Sequence, residues 1–123
     1  MAQADRQEIL QTAPLNAMSV DVEDYFQVQA FAGRISRADW DSMPHRVEQN
    51  TDRVLGIFDD AGIKATFFTL GWVAERYPAL IRRIVDQGHE LASHGMAHFR
   101  ADELRGGNTT GCRAPGPSVR PGR

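Results

Sequence analysis

The sequence predicts an α/β fold in which short parallel strands alternate with helices, arranged as a sheet or a barrel. Short β-prone runs occur at 15–22, 64–70 and 90–93. Two segments with apolar residues at helical spacing, 46–61 and 71–87, separate these runs. The order strand, helix, strand, helix, strand is typical of a parallel sheet with right-handed crossovers. In such folds the active site lies at the carboxyl ends of the strands.

The first half of the chain supplies one strand, one loop and one helix. Leu15–Val22 is predicted as the first strand because apolar residues dominate it, and it ends in the acidic cluster Asp21–Asp24. Residues 25–44 have no steady period and are predicted to form a long loop with short helical pieces. A helix is predicted from about Arg46 to Ala61, with Gly62 at the C-cap position.

The next elements repeat the alternation. Lys64–Leu70 is a β-prone run that suits a buried parallel strand. A second helical region opens at Gly71, and Pro78 either interrupts it or starts a new helix at a first-turn position. Glu90–Ser93 is predicted as the third strand and leads directly to His94.

Composition limits the classes of function. The 123 residues fit one domain, and a formal net charge of −2 gives no reason to expect nucleic acid as a partner. The single cysteine, Cys112, excludes an intrachain disulfide and a cysteine-based zinc site. Residues 1–14 form a polar tail without the apolar core of a signal peptide. No apolar run approaches the roughly 20 residues that span a bilayer, so a cytoplasmic protein is expected.

Two groups of polar residues follow predicted strands. His94 and His98 are four residues apart, and on a helical turn this spacing directs both imidazoles toward one cation. Asp21, Glu23 and Asp24 lie at the end of the first strand. Carboxylates and imidazoles from separate strand ends are what a hydrolytic metal site needs. The sequence therefore predicts a metal-dependent hydrolase.

Three segments carry a family resemblance: Ser19–Phe26, Ala65–Phe68 and Gly88–His98. They resemble the NodB homology domain of the polysaccharide deacetylases, also called family-4 carbohydrate esterases. The first segment is most similar to a subgroup associated with bacterial exopolysaccharide gene clusters. The resemblance implies a distorted (β/α) barrel, here with its first three strands and two helices. It also implies removal of N-acetyl groups from a polysaccharide or oligosaccharide, using zinc or a similar divalent ion.

The resemblance also implies a role for each candidate residue. Asp21 corresponds to the aspartate base, and His94 and His98 correspond to two metal ligands. The common family motif has adjacent aspartates, whereas related branches space the two acids by one residue. That spacing favours Glu23 as the metal carboxylate, with Asp24 as the alternative.

The resemblance weakens after His98. Arg113 stands in an Arg-x-Pro sequence like the family's third motif, in which the arginine orients the base. The family normally places a helix and a strand before that motif, and its later motifs, including the general-acid histidine, have no counterpart. Residues 15–98 are therefore predicted to be the first part of the domain. The Gly/Pro/Arg-rich residues 99–123 are predicted to be an irregular tail, which favours an internal deletion or a frameshift.

Two alternatives to an active polysaccharide deacetylase stay open on the sequence. The chain is a catalytically inactive fragment of such an enzyme, or it is a hydrolase of the same fold that acts on a small amide.

Overall fold

The computed structural model describes residues 15–100 and has the predicted α/β architecture. Its elements are β1 (Ser19–Val22), α1 (Val47–Ala61), β2 (Thr66–Thr69), α2 (Gly71–Arg76), α3 (Pro78–Asp86) and β3 (Glu90–Ser93). The strands form one parallel sheet in the order β1-β2-β3. None of the helices in this part of the chain is long and apolar enough to cross a membrane. The predictions for residues 1–14, and for the tail beyond Arg100 with Cys112 and Arg113, lie outside the described residues.

The first strand is shorter than predicted. β1 begins at Ser19, which pairs with Thr66 at the start of β2, and the ladder ends at Val22. The Met18 carbonyl still accepts a hydrogen bond from the Thr66 amide at 3.0 Å, but no residue of 15–17 pairs with β2, and Leu15 is 99% exposed. Apolar composition alone placed the start of the strand too early, because a strand needs a partner backbone to pair with.

The second helical region is two helices, α2 and α3, so the described residues hold three α-helices where two were expected. Tyr77 separates them with φ −124° and ψ 56°, which are not helical angles. The ring of Pro78 disfavours helical angles at the preceding residue, and proline itself is well suited to the first helical turn. The alternative in which Pro78 starts a new helix is therefore the correct one.

Residues 25–44 form the predicted loop with short helical pieces. Its 3₁₀ helices are Tyr25–Gln27, Gln29–Phe31 and Arg37–Ser42. The loop packs on α2 through Trp40 and Trp72, which are both buried with ring centroids 5.7 Å apart. This packing places Arg37 beside the segment that follows β3.

Asp24 holds the two ends of this loop together. Its carboxylate is buried, with 2% of the residue exposed. One oxygen accepts a hydrogen bond from the Tyr25 amide at 3.0 Å, and the other accepts from the amides of Arg46 at 2.7 Å and Val47 at 3.0 Å. The first amides of a helix have no partner within the helix, so Asp24 caps α1 from a distant part of the chain.

The start of α2 contacts the segment after β3. The Gly71 amide donates to the Gly95 carbonyl at 2.9 Å, and the Trp72 amide donates to the Met96 carbonyl at 3.1 Å. A Cβ atom on Gly71 would lie 2.4 Å from the Met96 sulfur and 3.3 Å from its Cα. A side chain at position 71 therefore forces the Met96 side chain to move and crowds the Met96 backbone.

A matched pair of glycine substitutions tests this close approach. We expect Gly71→Ala to destabilise the fold by about 1–3 kcal/mol, because the new methyl overpacks against Met96. Gly56→Ala is the control, since a Cβ there meets no atom within 4 Å apart from its chain neighbours and the backbone of its own helix. Alanine in the interior of α1 should stabilise by about 0.5–1 kcal/mol. Urea denaturation measures both, and equal effects of the two substitutions would contradict the predicted clash.

His89 is a buried histidine that joins β2 to β3. It is 6% exposed, and its Nδ1 atom accepts a hydrogen bond from the Ala65 amide at 3.2 Å. An acceptor nitrogen carries no proton, so the ring is neutral in this arrangement. Burial lowers the pKa of His89 below its ordinary value of 6.5, and the nearby Lys64 ammonium lowers it further.

This lowered pKa predicts a loss of stability in mild acid. Below about pH 6.5 the unfolded chain binds a proton at His89 more readily than the folded chain does. The free energy of unfolding therefore decreases as the pH is lowered. The loss continues until the pH passes below the folded-state pKa. His89→Asn keeps an acceptor near the Nδ1 position but does not titrate. Urea denaturation from pH 7.5 to 5 should show a flatter dependence for this variant, and identical slopes would refute the prediction.

Candidate metal centre

The strand register brings the ends of the three strands together. Val22, Thr69 and Ser93 are aligned across the sheet, so the residues after them leave the same edge. Glu23 directly follows β1, and His94 directly follows β3. The His94 amide also donates to the Thr69 carbonyl at 3.0 Å, which extends the pairing by one residue. The backbone at both positions is therefore fixed by the sheet.

Glu23, His94 and His98 form a cluster at this edge. Each offers one ligand atom, and these atoms all lie within 4.8 Å of one another. The two imidazole rings are 4.8 Å apart between centroids, and His98 Nε2 contacts a carboxylate oxygen of Glu23. All three side chains are half-buried. One carboxylate and two imidazoles are a donor set that suits zinc and similar divalent ions.

The histidine pair does not lie on a helical turn, so that part of the sequence prediction is wrong. The segment from His94 to His98 is irregular, with Gly95 at φ 75° and His98 at φ 56°. Both values lie in the left-handed region, which interrupts a right-handed helix. The pair is instead brought together by a bend, whose carbonyl groups bond to other parts of the chain.

Arg37 is a residue of this site that the sequence did not point to. Its Nε–H donates to the Ala97 carbonyl at 2.9 Å, and its Nη2 donates to the His98 carbonyl at 3.0 Å. Arg37 lies in a loop without a periodic pattern, and its partners are backbone atoms more than fifty residues away. Because every residue has a carbonyl group, the residue types of the partners do not indicate that a side chain binds them.

The two remaining carboxylates of the acidic cluster do not belong to this group of three. Both Asp24 oxygens accept hydrogen bonds from backbone amides. Asp21 is exposed and lies on the opposite face of β1 from the buried Val22. Within residues 15–100 its carboxylate makes no hydrogen bond or ion pair.

Comparison with known proteins identifies relatives of this chain. The family model described as "Polysaccharide deacetylase" matches residues 38–110. A chitooligosaccharide deacetylase from Sinorhizobium fredii is 48% identical over 48 residues, which cover 39% of this chain and 22% of that protein. A peptidoglycan-N-acetylglucosamine deacetylase from Bacillus cereus is 33% identical over 81 residues, covering 63% of this chain and 28% of that protein.

A solved structure is also similar. A crystal structure assigned to a polysaccharide deacetylase from Mycobacterium smegmatis matches 72% of this chain and 35% of that chain, with 30% identity and a TM-score of 0.51. This chain thus spans about a quarter of the length of the two relatives, since the matches cover 22% and 28% of them.

The different surroundings of Asp24 and Asp21 predict different effects of removing each charge. Asp24→Asn leaves one acceptor oxygen for three amides, and we expect it to lower the free energy of unfolding by about 2 kcal/mol. Asp21→Asn is the matched control, and as an exposed site it should change stability by less than about 0.5 kcal/mol. Urea denaturation at neutral pH compares the two. A stability loss confined to the Asp21 variant would show that the capping role is misassigned.

Proposed function

The chain belongs to the polysaccharide deacetylase family, and on that premise we propose that it hydrolyses N-acetyl groups on amino-sugar polymers with the help of a divalent ion. The observation that carries the proposal is the cluster of Glu23, His94 and His98 at the carboxyl edge of the sheet. The names of two similar proteins, for chitooligosaccharide and for peptidoglycan N-acetylglucosamine, support an N-acetylated glycan as substrate.

Glu23, His94 and His98 are the proposed ligands, and zinc is the proposed ion. Glu23 is preferred to Asp24 because the Asp24 oxygens already bond to three amides, whereas Glu23 contacts His98. When bound, such an ion acts as a Lewis acid that polarises the amide carbonyl and makes water easier to deprotonate. The half-burial of the three side chains supports access of a substrate carbonyl.

Asp21 is the proposed general base. Its carboxylate is exposed and is not engaged by any other residue in the 15–100 range, so it is available to accept a proton from the attacking water. It lies on β1, two residues before Glu23, which directly follows the strand, so the base is close to the proposed ligand along the chain. Arg113 is proposed, from its motif alone, to orient Asp21. Residues 15–98 are proposed to be the first part of the catalytic domain.

The proposal predicts a metal-dependent release of acetate. We expect the 123-residue chain with added Zn²⁺ or Co²⁺ to release acetate from a chitooligosaccharide, and a chelator should abolish the release. A small acetylated amide serves as the comparison substrate. Acetate from the small amide alone would favour the same-fold hydrolase, and Co²⁺ binding without acetate release would favour the catalytically inactive fragment.

Direct titration with Co²⁺ tests the ligand assignment apart from activity. We expect Glu23→Gln to weaken Co²⁺ binding by at least about tenfold, because even residues that only support a ligand change metal affinity by about 10–100-fold. Glu75→Gln is the control, since Glu75 is an exposed glutamate on α2 outside the cluster. Equal Co²⁺ affinity of the two variants would rule out Glu23 as a ligand.

A further inference from the structure

Four consecutive carbonyl groups after β3, those of residues 95–98, each accept one hydrogen bond. The first two bonds come from the amides of Gly71 and Trp72, at 2.9 and 3.1 Å. The other two come from the guanidinium group of Arg37, at 2.9 and 3.0 Å. The backbone amides hold the first half of the segment, whereas a single side chain holds the second half, which ends at His98.

The two Arg37 bonds act on the two peptide groups that flank His98. The Ala97 carbonyl belongs to the peptide plane before His98, and the His98 carbonyl belongs to the plane after it. Rotations of these planes about the His98 Cα are its φ and ψ angles. A rigid guanidinium group that binds both carbonyls therefore fixes both angles, and with them the direction of the His98 side chain.

His98 needs such a restraint because its conformation is unfavourable. Its φ of 56° is left-handed, and among residues 15–100 no other non-glycine residue has a positive φ. A left-handed residue with a Cβ costs on the order of 1–2 kcal/mol, so it persists only where other contacts hold it. The Arg37 guanidinium also lies 4.1 Å from the centre of the Phe99 ring, which restrains the residue after His98 as well.

We propose that Arg37 is a positioning residue that holds His98 in its metal-binding orientation, an inference that rests on the proposed metal site. His94 does not depend on Arg37 in this way, because its amide bonds to β2. Loss of Arg37 should thus affect one ligand of three. Lysine has no planar fork and cannot bind both carbonyls in the same geometry.

Three variants of the 123-residue chain test the proposal by Co²⁺ titration, with the visible absorption of the bound ion as readout. We expect Arg37→Met to weaken binding by about 10–100-fold, the range found for residues that orient metal ligands. Arg37→Lys should fall between Arg37→Met and the unsubstituted chain. Arg34→Met is the control for loss of charge, since Arg34 is an exposed residue of the same loop whose side chain makes no hydrogen bond, ion pair or ring contact within residues 15–100. Its affinity should match that of the unsubstituted chain.

The metal-free melting temperature and the Co²⁺ spectrum separate positioning from general stability. A positioning role predicts an altered Co²⁺ spectrum for Arg37→Met at temperatures where the metal-free variant is fully folded. If Arg37→Met only lowers the melting temperature and binds Co²⁺ as tightly as Arg34→Met, the proposal is overturned. If the unsubstituted chain binds no Co²⁺, the proposed metal site itself is wrong. If all four proteins bind Co²⁺ equally, the metal site stands and only the role of Arg37 is wrong.

Discussion

The parallel register of the three strands is the constraint on which the candidate site depends. Each strand has only four residues, yet the pairing aligns Val22, Thr69 and Ser93 at one edge. Glu23 and His94 leave that edge as the next residues of β1 and β3, so the sheet determines where their backbones lie. A shift of either strand by one residue would turn its side chains to the other face and would break the cluster.

Polar side chains in the 25–44 loop and next to it fix the position of residues that lie outside the strands. Asp24 follows β1 and binds the first amides of α1, which joins both ends of the loop. The loop carries Arg37, whose guanidinium group holds the carbonyls around His98. The position of His98 therefore depends on the acidic cluster twice, directly through Glu23 and indirectly through the loop that Asp24 anchors.

The sequence predicted those features that leave a periodic or compositional pattern. Apolar periodicity located α1 to within one residue, and β3 has the predicted bounds. The histidine spacing correctly grouped His94 with His98 but suggested a helical turn, because spacing carries no information on backbone conformation. The bend depends on hydrogen bonds to carbonyl groups, which every residue has. For the same reason the sequence did not indicate a role for Arg37. The role of Asp24 as a cap could not be predicted either, because Asp21 and Glu23 are acidic residues at nearly the same position.

The three proposed ligands differ in what holds them. Glu23 and His94 adjoin paired strand residues, so moving their backbones would disrupt hydrogen bonds of the sheet. His98 lies five residues beyond β3, in a left-handed conformation, and the bonds to its flanking carbonyls come from one exposed arginine. Local rearrangement is least costly where few bonds must break, so His98 is the ligand most able to move. A substitution of Arg37 in the 25–44 loop replaces no strand residue and no ligand side chain, yet it removes the bonds to the carbonyls around His98 and can thus change the geometry of the site while leaving the fold intact.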